Sequence, residues 1–124
     1  MKTPEPDNPA RPPSGVRLCA LAELPDPGSK GFRFRHDRYM FAGFVVRQGQ
    51  EVKGWVDSCP HNGWPLSALD DRYLTREGDR IICAAHGAMF RPADGLCVAG
   101  PCADDHLTAW PVAVVGGEVV TGPF

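Results

Sequence analysis

Cys59-Pro60-His61-Asn62-Gly63-Trp64 and Cys83-Ala84-Ala85-His86-Gly87-Ala88-Met89-Phe90 are the two segments whose reading decides the fold. Each opens with one thiol and one imidazole, spaced C-x-H in the first and C-x-x-H in the second, with 21 residues, 62–82, between the pairs. Two sulfur and two nitrogen donors suit a tetrahedral zinc ion or an iron–sulfur centre with mixed ligation. The C-x-H pair is tighter than the usual zinc knuckle, and the donors alternate Cys, His, Cys, His rather than pairing by type. Both points favour the iron–sulfur alternative, and zinc stays open at this stage.

Together with Asp94-Gly95-Leu96-Cys97-Val98-Ala99-Gly100-Pro101, the two segments resemble the Rieske [2Fe–2S] family across both ligand loops and the Gly-Pro loop that covers them. The resemblance implies one [2Fe–2S] cluster, with Cys59 and Cys83 on one iron and His61 and His86 on the other. The spacing between loops is a few residues longer than in common members. The extra length is assigned to a loop excursion over Asp70–Arg80. Respiratory-type members carry a disulfide across the cluster loops, at positions that correspond here to Trp64 and Ala85. This chain therefore resembles the ferredoxin and oxygenase-type members, and Cys97 and Cys102 are expected to be reduced packing residues.

A chain of 124 residues is long enough for one modest core. Its 43% hydrophobic and 23% charged residues are ordinary for a globular domain. A formal charge of −2 and a pI of about 6.0 exclude a general pull toward nucleic acid or anionic membrane. No apolar run approaches the roughly 20 residues that a spanning helix needs, and the N-terminal stretch has no apolar targeting segment. Five cysteines less two ligands leave an odd three, which argues against a secreted disulfide framework. A cytoplasmic protein, monomeric and free of membrane, is expected.

Residues 1–14 hold five prolines and few apolar groups, and are expected to be a mobile extended tail. The resemblance implies a Rieske domain over residues 15–124, with the cluster-binding loops at about 57–103. From Val16 onward, short apolar runs alternate with Gly, Pro and Asp. Tyr39–Arg47 and Glu51–Val56 flank Gln48-Gly49-Gln50 and read as one hairpin; Leu107–Val115 and Glu118–Val120 flank Gly116-Gly117 and read as another. Helical periodicity is confined to single turns near Ala20–Leu24 and within Leu66–Leu74. The fold class expected is all-β, a Rieske-type antiparallel β sandwich or barrel with an inserted cluster-binding subdomain.

Lys30, Arg33, Arg35, His36 and Arg38 interleave with Phe32 and Phe34 at a period of two, which is the pattern of a half-buried strand with a solvated basic face. His36 and His106 read as surface or hydrogen-bonded histidines. Pro60, Pro65 and Pro101 stiffen the ligand loops, and Gly63, Gly87 and Gly100 let backbone amides approach the cluster sulfurs.

An oxygenase would need a second domain with a mononuclear iron held by histidines and a carboxylate, and His36 and His106 are the only histidines left over. The resemblance then implies a one-electron carrier without catalytic residues, fed by a flavin reductase and delivering to an oxygenase or another oxidoreductase. Three alternatives stand beside it: a component like the small subunit of nitrite reductase, a module sensing oxidant or iron, and a zinc-stabilised interaction domain.

Overall fold

Phe41-Ala42-Gly43-Phe44-Val45-Val46 is apolar at every position, so the strand that contains it must be covered on both faces. The computed structural model describes residues 8–60, 65–66, 71–83, 87–100, 102 and 104–123. In it this segment lies in β3, Tyr39–Gln48, the middle strand of an antiparallel sheet with β2, Gly28–His36, and β4, Glu51–Val56. Phe44 and Val46 face one buried cluster, and Phe41 and Val45 face another. β4 follows the same rule, with Trp55 opposite Phe44 on the first face and Val52 on the second. The sheet is thus a wall shared by two cores.

The second core is closed by a sheet of β1, Arg17–Ala20, β9, Glu118–Thr121, and β8, Val112–Val115. Trp110 fills it at 1% exposure, with the rings of Phe32, Phe34 and Phe41 edge-on around it. The alternation expected for residues 30–38 holds only over residues 32–35, where Phe32 and Phe34 are half-buried while Arg33 and Arg35 are exposed; Lys30 lies on the Phe32 side of the strand and is half-buried, and residues 36–38 are exposed throughout. The first core is closed by three short strands, β5, Ile81–Ile82, β6, Met89–Phe90, and β7, Cys97–Ala99. All three sheets are antiparallel, as the all-β reading requires. The third is the inserted subdomain.

Some boundaries differ from expectation. The last hairpin begins at Val112 rather than Leu107, because residues 108–110 are engaged elsewhere. The Val56 amide donates to the Thr108 carbonyl at 2.8 Å and the Trp110 amide to the Gly54 carbonyl at 3.0 Å, which stitches this segment to β4. Pro111 has no N–H to extend the ladder. The expected turn near Ala20–Leu24 is a 3-10 turn over Leu21–Glu23, with the Glu23 carboxylate accepting from the Ala20 amide at 2.8 Å. The turn expected within Leu66–Leu74 includes residues 67–70, which lie outside the described residues.

Residues 8–14 are seated on the second core rather than extending from it. Ala10 is buried beside Phe41, the Arg11 guanidinium lies 5.3 Å from the Phe41 ring centroid, and Asn8 donates to the Met40 carbonyl at 3.1 Å. Pro9, Pro12 and Pro13 restrict the backbone before it docks, so ordering the segment costs little entropy. Residues 1–7 of the expected tail lie outside the described residues.

Candidate metal centre

Cys59 follows β4 after two intervening residues, Asp57 and Ser58, and Cys83 comes directly after β5. Each candidate sulfur is therefore placed close behind a strand that borders the first core. Cys59 is 1% exposed and Cys83 fully buried, and both belong to the cluster that includes Leu66, Tyr73, Ala88, Phe90 and Leu107. No disulfide links any of the five cysteines. A buried cysteine is either an inert thiol or a thiolate whose charge a metal neutralises. Two of them in one dry core fit the sulfur half of a metal centre. His61 and His86, the candidate nitrogen ligands, lie outside the described residues. Among the described residues no three His, Cys, Asp or Glu side chains converge on a metal-sized point.

The second ligand turn is short and tightly bonded. The Cys83 amide donates to the Ala88 carbonyl at 2.8 Å, and the Gly87 amide donates back to the Cys83 carbonyl at 2.9 Å. Ala88 and Phe90 are fully buried and bring no hydroxyl to this side of the cradle.

The loop after β7 lies across that turn. Gly100 has φ +93°, and a Cβ there would stand 2.7 Å from the Ala88 Cα, so only glycine allows the approach. The loop is anchored by the Cys97 amide donating to the Asp105 carbonyl at 2.8 Å and the Leu107 amide donating to the Gly95 carbonyl at 2.9 Å. The Cys97 and Cys102 sulfurs are 2.8 Å apart, both buried, and the Cys97 thiol lies 3.2 Å from the Ala99 carbonyl. Burial pushes the Cys102 thiol well above its ordinary pKa, and the hydrogen bond with Cys97 and the nearby Cys97 and Cys59 sulfurs push the same way. No disulfide joins these two buried cysteines in the structure.

Asp70 lies outside the described residues, and the rest of the excursion assigned to Asp70–Arg80 is not a free loop. Ser29 donates its hydroxyl to the Asp71 carbonyl at 2.6 Å, and the Gly31 amide donates to the Asp71 carboxylate at 2.8 Å. Leu74 bridges Ile81, and the Thr75 amide closes a turn by donating to the Arg80 carbonyl at 2.8 Å. Between these ties Tyr73 enters the first core at 1% exposure. Its hydroxyl donates to Asp57 at 2.8 Å. Sequence reasoning missed this pair. The available signal was an acidic residue at the end of an apolar strand, two positions before a ligand cysteine.

His36 is exposed, 3.9 Å from the Asp37 carboxylate, and His106 sits in a backbone bridge with Leu96. Both read as surface and hydrogen-bonded residues, as the sequence suggested. No helix among the described residues is long and apolar enough to cross a membrane.

The described residues define an antiparallel all-β domain with a small inserted three-stranded sheet and two buried cysteines, Cys59 and Cys83, behind β4 and β5. The chain belongs to the Rieske [2Fe–2S] domain family, whose model matches residues 15–115. No curated protein matches it. Among solved structures, the ferredoxin of carbazole 1,9a-dioxygenase from Nocardioides aromaticivorans IC177 is similar, at 27% identity and TM-score 0.65 over 88% of this chain and 97% of that one. The Sphingomonas yanoikuyae B1 ferredoxin matches at 27% identity and TM-score 0.63, over 88% and 98% of the two chains. A chain of the complex of reduced oxygenase and oxidized ferredoxin in carbazole 1,9a-dioxygenase matches at 25% identity and TM-score 0.65, over 86% and 91%.

Proposed function

We propose that this chain is a one-electron carrier that holds a single [2Fe–2S] cluster on Cys59, His61, Cys83 and His86, takes its electron from a flavin reductase and delivers it to an oxygenase. The observation that carries the reading is the pair of buried cysteines, Cys59 and Cys83, in a chain whose likeness to two ferredoxins spans nearly their whole length. The structure that pairs a ferredoxin with an oxygenase supports the choice of acceptor. The cluster, when bound, supplies a reversible one-electron couple.

The protein's own part is to hold that couple rigid and dry. Cys83 is fixed by the end of β5, the segment before Cys59 by the Asp57 amide bonded to the Ala42 carbonyl, the Cys83 turn by two backbone hydrogen bonds, and the covering loop by the contact of Gly100 with Ala88. Little can move between redox states, which favours fast transfer. The buried surroundings exclude water from the sulfur side. Five cysteines without a disulfide support a reducing compartment, the cytoplasm, and the reading is of a monomer.

The test is purification followed by metal analysis and electron delivery. Iron and acid-labile sulfide in equal amounts, with a visible spectrum bleached by dithionite, are expected. A colourless protein containing zinc overturns the cluster. Anaerobic mixing of the reduced protein with the oxidised terminal oxygenase of a carbazole dioxygenase should restore its colour; a reduced cluster that stays bleached overturns oxygenase as the acceptor.

A further inference from the structure

We propose that Asp57 is a positioning residue of the metal centre: its carboxylate clasps the neck of the first ligand loop, and its buried charge holds the reduction potential down. The proposal rests on the carrier reading above.

Asp57 stands at 6% exposure, a carboxylate inside an otherwise apolar cluster. One oxygen accepts the Leu66 amide at 2.7 Å, the other accepts the Tyr73 hydroxyl at 2.8 Å, and its own amide donates to the Ala42 carbonyl at 2.9 Å. One residue thus fixes the chain just before Cys59, the chain just after the first ligand loop, and the segment carrying Tyr73. Phe44 stacks on Tyr73 and holds the phenol in place.

The pattern of hydrogen bonds says why the residue is Asp. Both oxygens accept, from an amide and a phenol, so the group acts as an acceptor-only carboxylate. Asparagine would turn an N–H2 toward one of those donors. Both donors are neutral, and neither cancels the charge. A buried carboxylate is costly where a neutral group of the same shape could hold a loop. Two residues from a ligand cysteine, that charge has an electrostatic effect: it opposes the addition of an electron to the centre, because attraction and repulsion are strong where water is excluded.

Asp57→Asn keeps the shape and removes the charge. Tyr73→Phe keeps the charge and removes one of the donors that spread it. The two variants should therefore move the midpoint potential in opposite directions, Asp57→Asn upward and Tyr73→Phe downward. The size expected for Asp57→Asn is about tenfold in the electron-transfer equilibrium, which is about 59 mV for one electron. A merely structural clasp would loosen alike in both variants. Wild-type iron and acid-labile sulfide are measured first, since their absence refutes the carrier reading itself. With a cluster-bearing wild type, protein-film voltammetry decides: an Asp57→Asn potential at or below wild type, or a shift of the same sign in both variants, overturns the role of Asp57. Should Asp57→Asn fail to hold iron, Tyr73→Phe decides alone, a downward shift supporting the proposal and an unchanged or raised potential overturning it.

Discussion

The rings of Phe44 and Tyr73 are stacked, with centroids 4.2 Å apart and planes 3° from parallel. Phe44 belongs to the shared sheet and Tyr73 to the segment between the ligand loops, so the pair joins the scaffold to the subdomain it carries. Truncating a fully buried Phe to Ala costs about 3–5 kcal/mol, and a well-placed aromatic pair adds about 0.5–1.5 kcal/mol beyond its area. Phe44→Ala should lower the unfolding free energy read from urea melts by an amount in that range and reduce iron retention with it. A variant with wild-type stability would mean that the subdomain is held without this stack.

Tyr73 also predicts an alkaline weakness. Burial, with the Asp57 charge and hydrogen bond adding to it, raises the phenol well above its usual pKa. The unfolded chain releases this proton near pH 10, while the folded protein keeps it. The native state then binds more protons, so this contribution to stability is complete below about pH 10 and declines as pH rises further. Urea midpoints measured from neutral to strongly alkaline pH should fall on the alkaline side. Tyr73→Phe should be less stable at neutral pH yet show a shallower alkaline decline; an equally steep decline would place the titration on another group.

Alanine at any one of Cys59, His61, Cys83 or His86 should abolish or gravely weaken the cluster, because ligation is coupled to the folding of the loops. His36→Ala and His106→Ala should keep full iron. The decisive readings are iron content and the visible spectrum of the six proteins, and loss of the cluster from either of the last two would redraw the ligand set.

What the sequence made legible follows from which interactions are local. The alternation of Phe32 to Arg35, the Gly49 and Gly116-Gly117 turns and the two ligand spacings are short-range patterns, and each can be read along the chain. The seating of Ala10 and Arg11 on Phe41, and the clasp joining Asp57, Leu66 and Tyr73, depend on contacts between distant segments. An extended Pro-rich segment looks the same in sequence whether it docks or not. Nor does the stretch around Asp70–Arg80 display, one residue at a time, that Tyr73 is its anchor. Leu107–Pro111 misled for a related reason: its apolar residues are there to bridge β4, not to pair with β9.

The cysteines outside the ligand set should be chemically quiet. Burial raises the thiol pKa of Cys19, and Cys102 is raised by burial and by Cys97. The thiolate is the reactive form, so few molecules present it near neutrality. Iodoacetamide applied to the folded protein should leave Cys19, Cys97 and Cys102 unmodified over the time in which the urea-unfolded protein is fully labelled. Mass spectrometry of tryptic peptides reads the sites, and rapid native labelling of Cys102 would contradict its burial.

The last expectation concerns the potential itself. In respiratory-type members of the family, a Ser two residues after the second ligand His and a Tyr four residues after it donate hydrogen bonds to the cluster and ligand sulfurs. Here those positions are Ala88 and Phe90, both fully buried, and neither carries a donor. A reduced centre is the more negative one and gains most from such donors, so their absence destabilises it. The potential should lie toward the lower end of the Rieske range, around −150 mV rather than near +300 mV. Hydrogen bonds to charged groups contribute about 1.5–3 kcal/mol, and a one-electron couple moves about 43 mV per kcal/mol, so a restored hydroxyl should raise the potential by about 65–130 mV. Ala88→Ser and Phe90→Tyr should each do so. Voltammetry on the wild type and both variants checks the ordering, and a wild-type value above about +100 mV would contradict the low-potential reading outright.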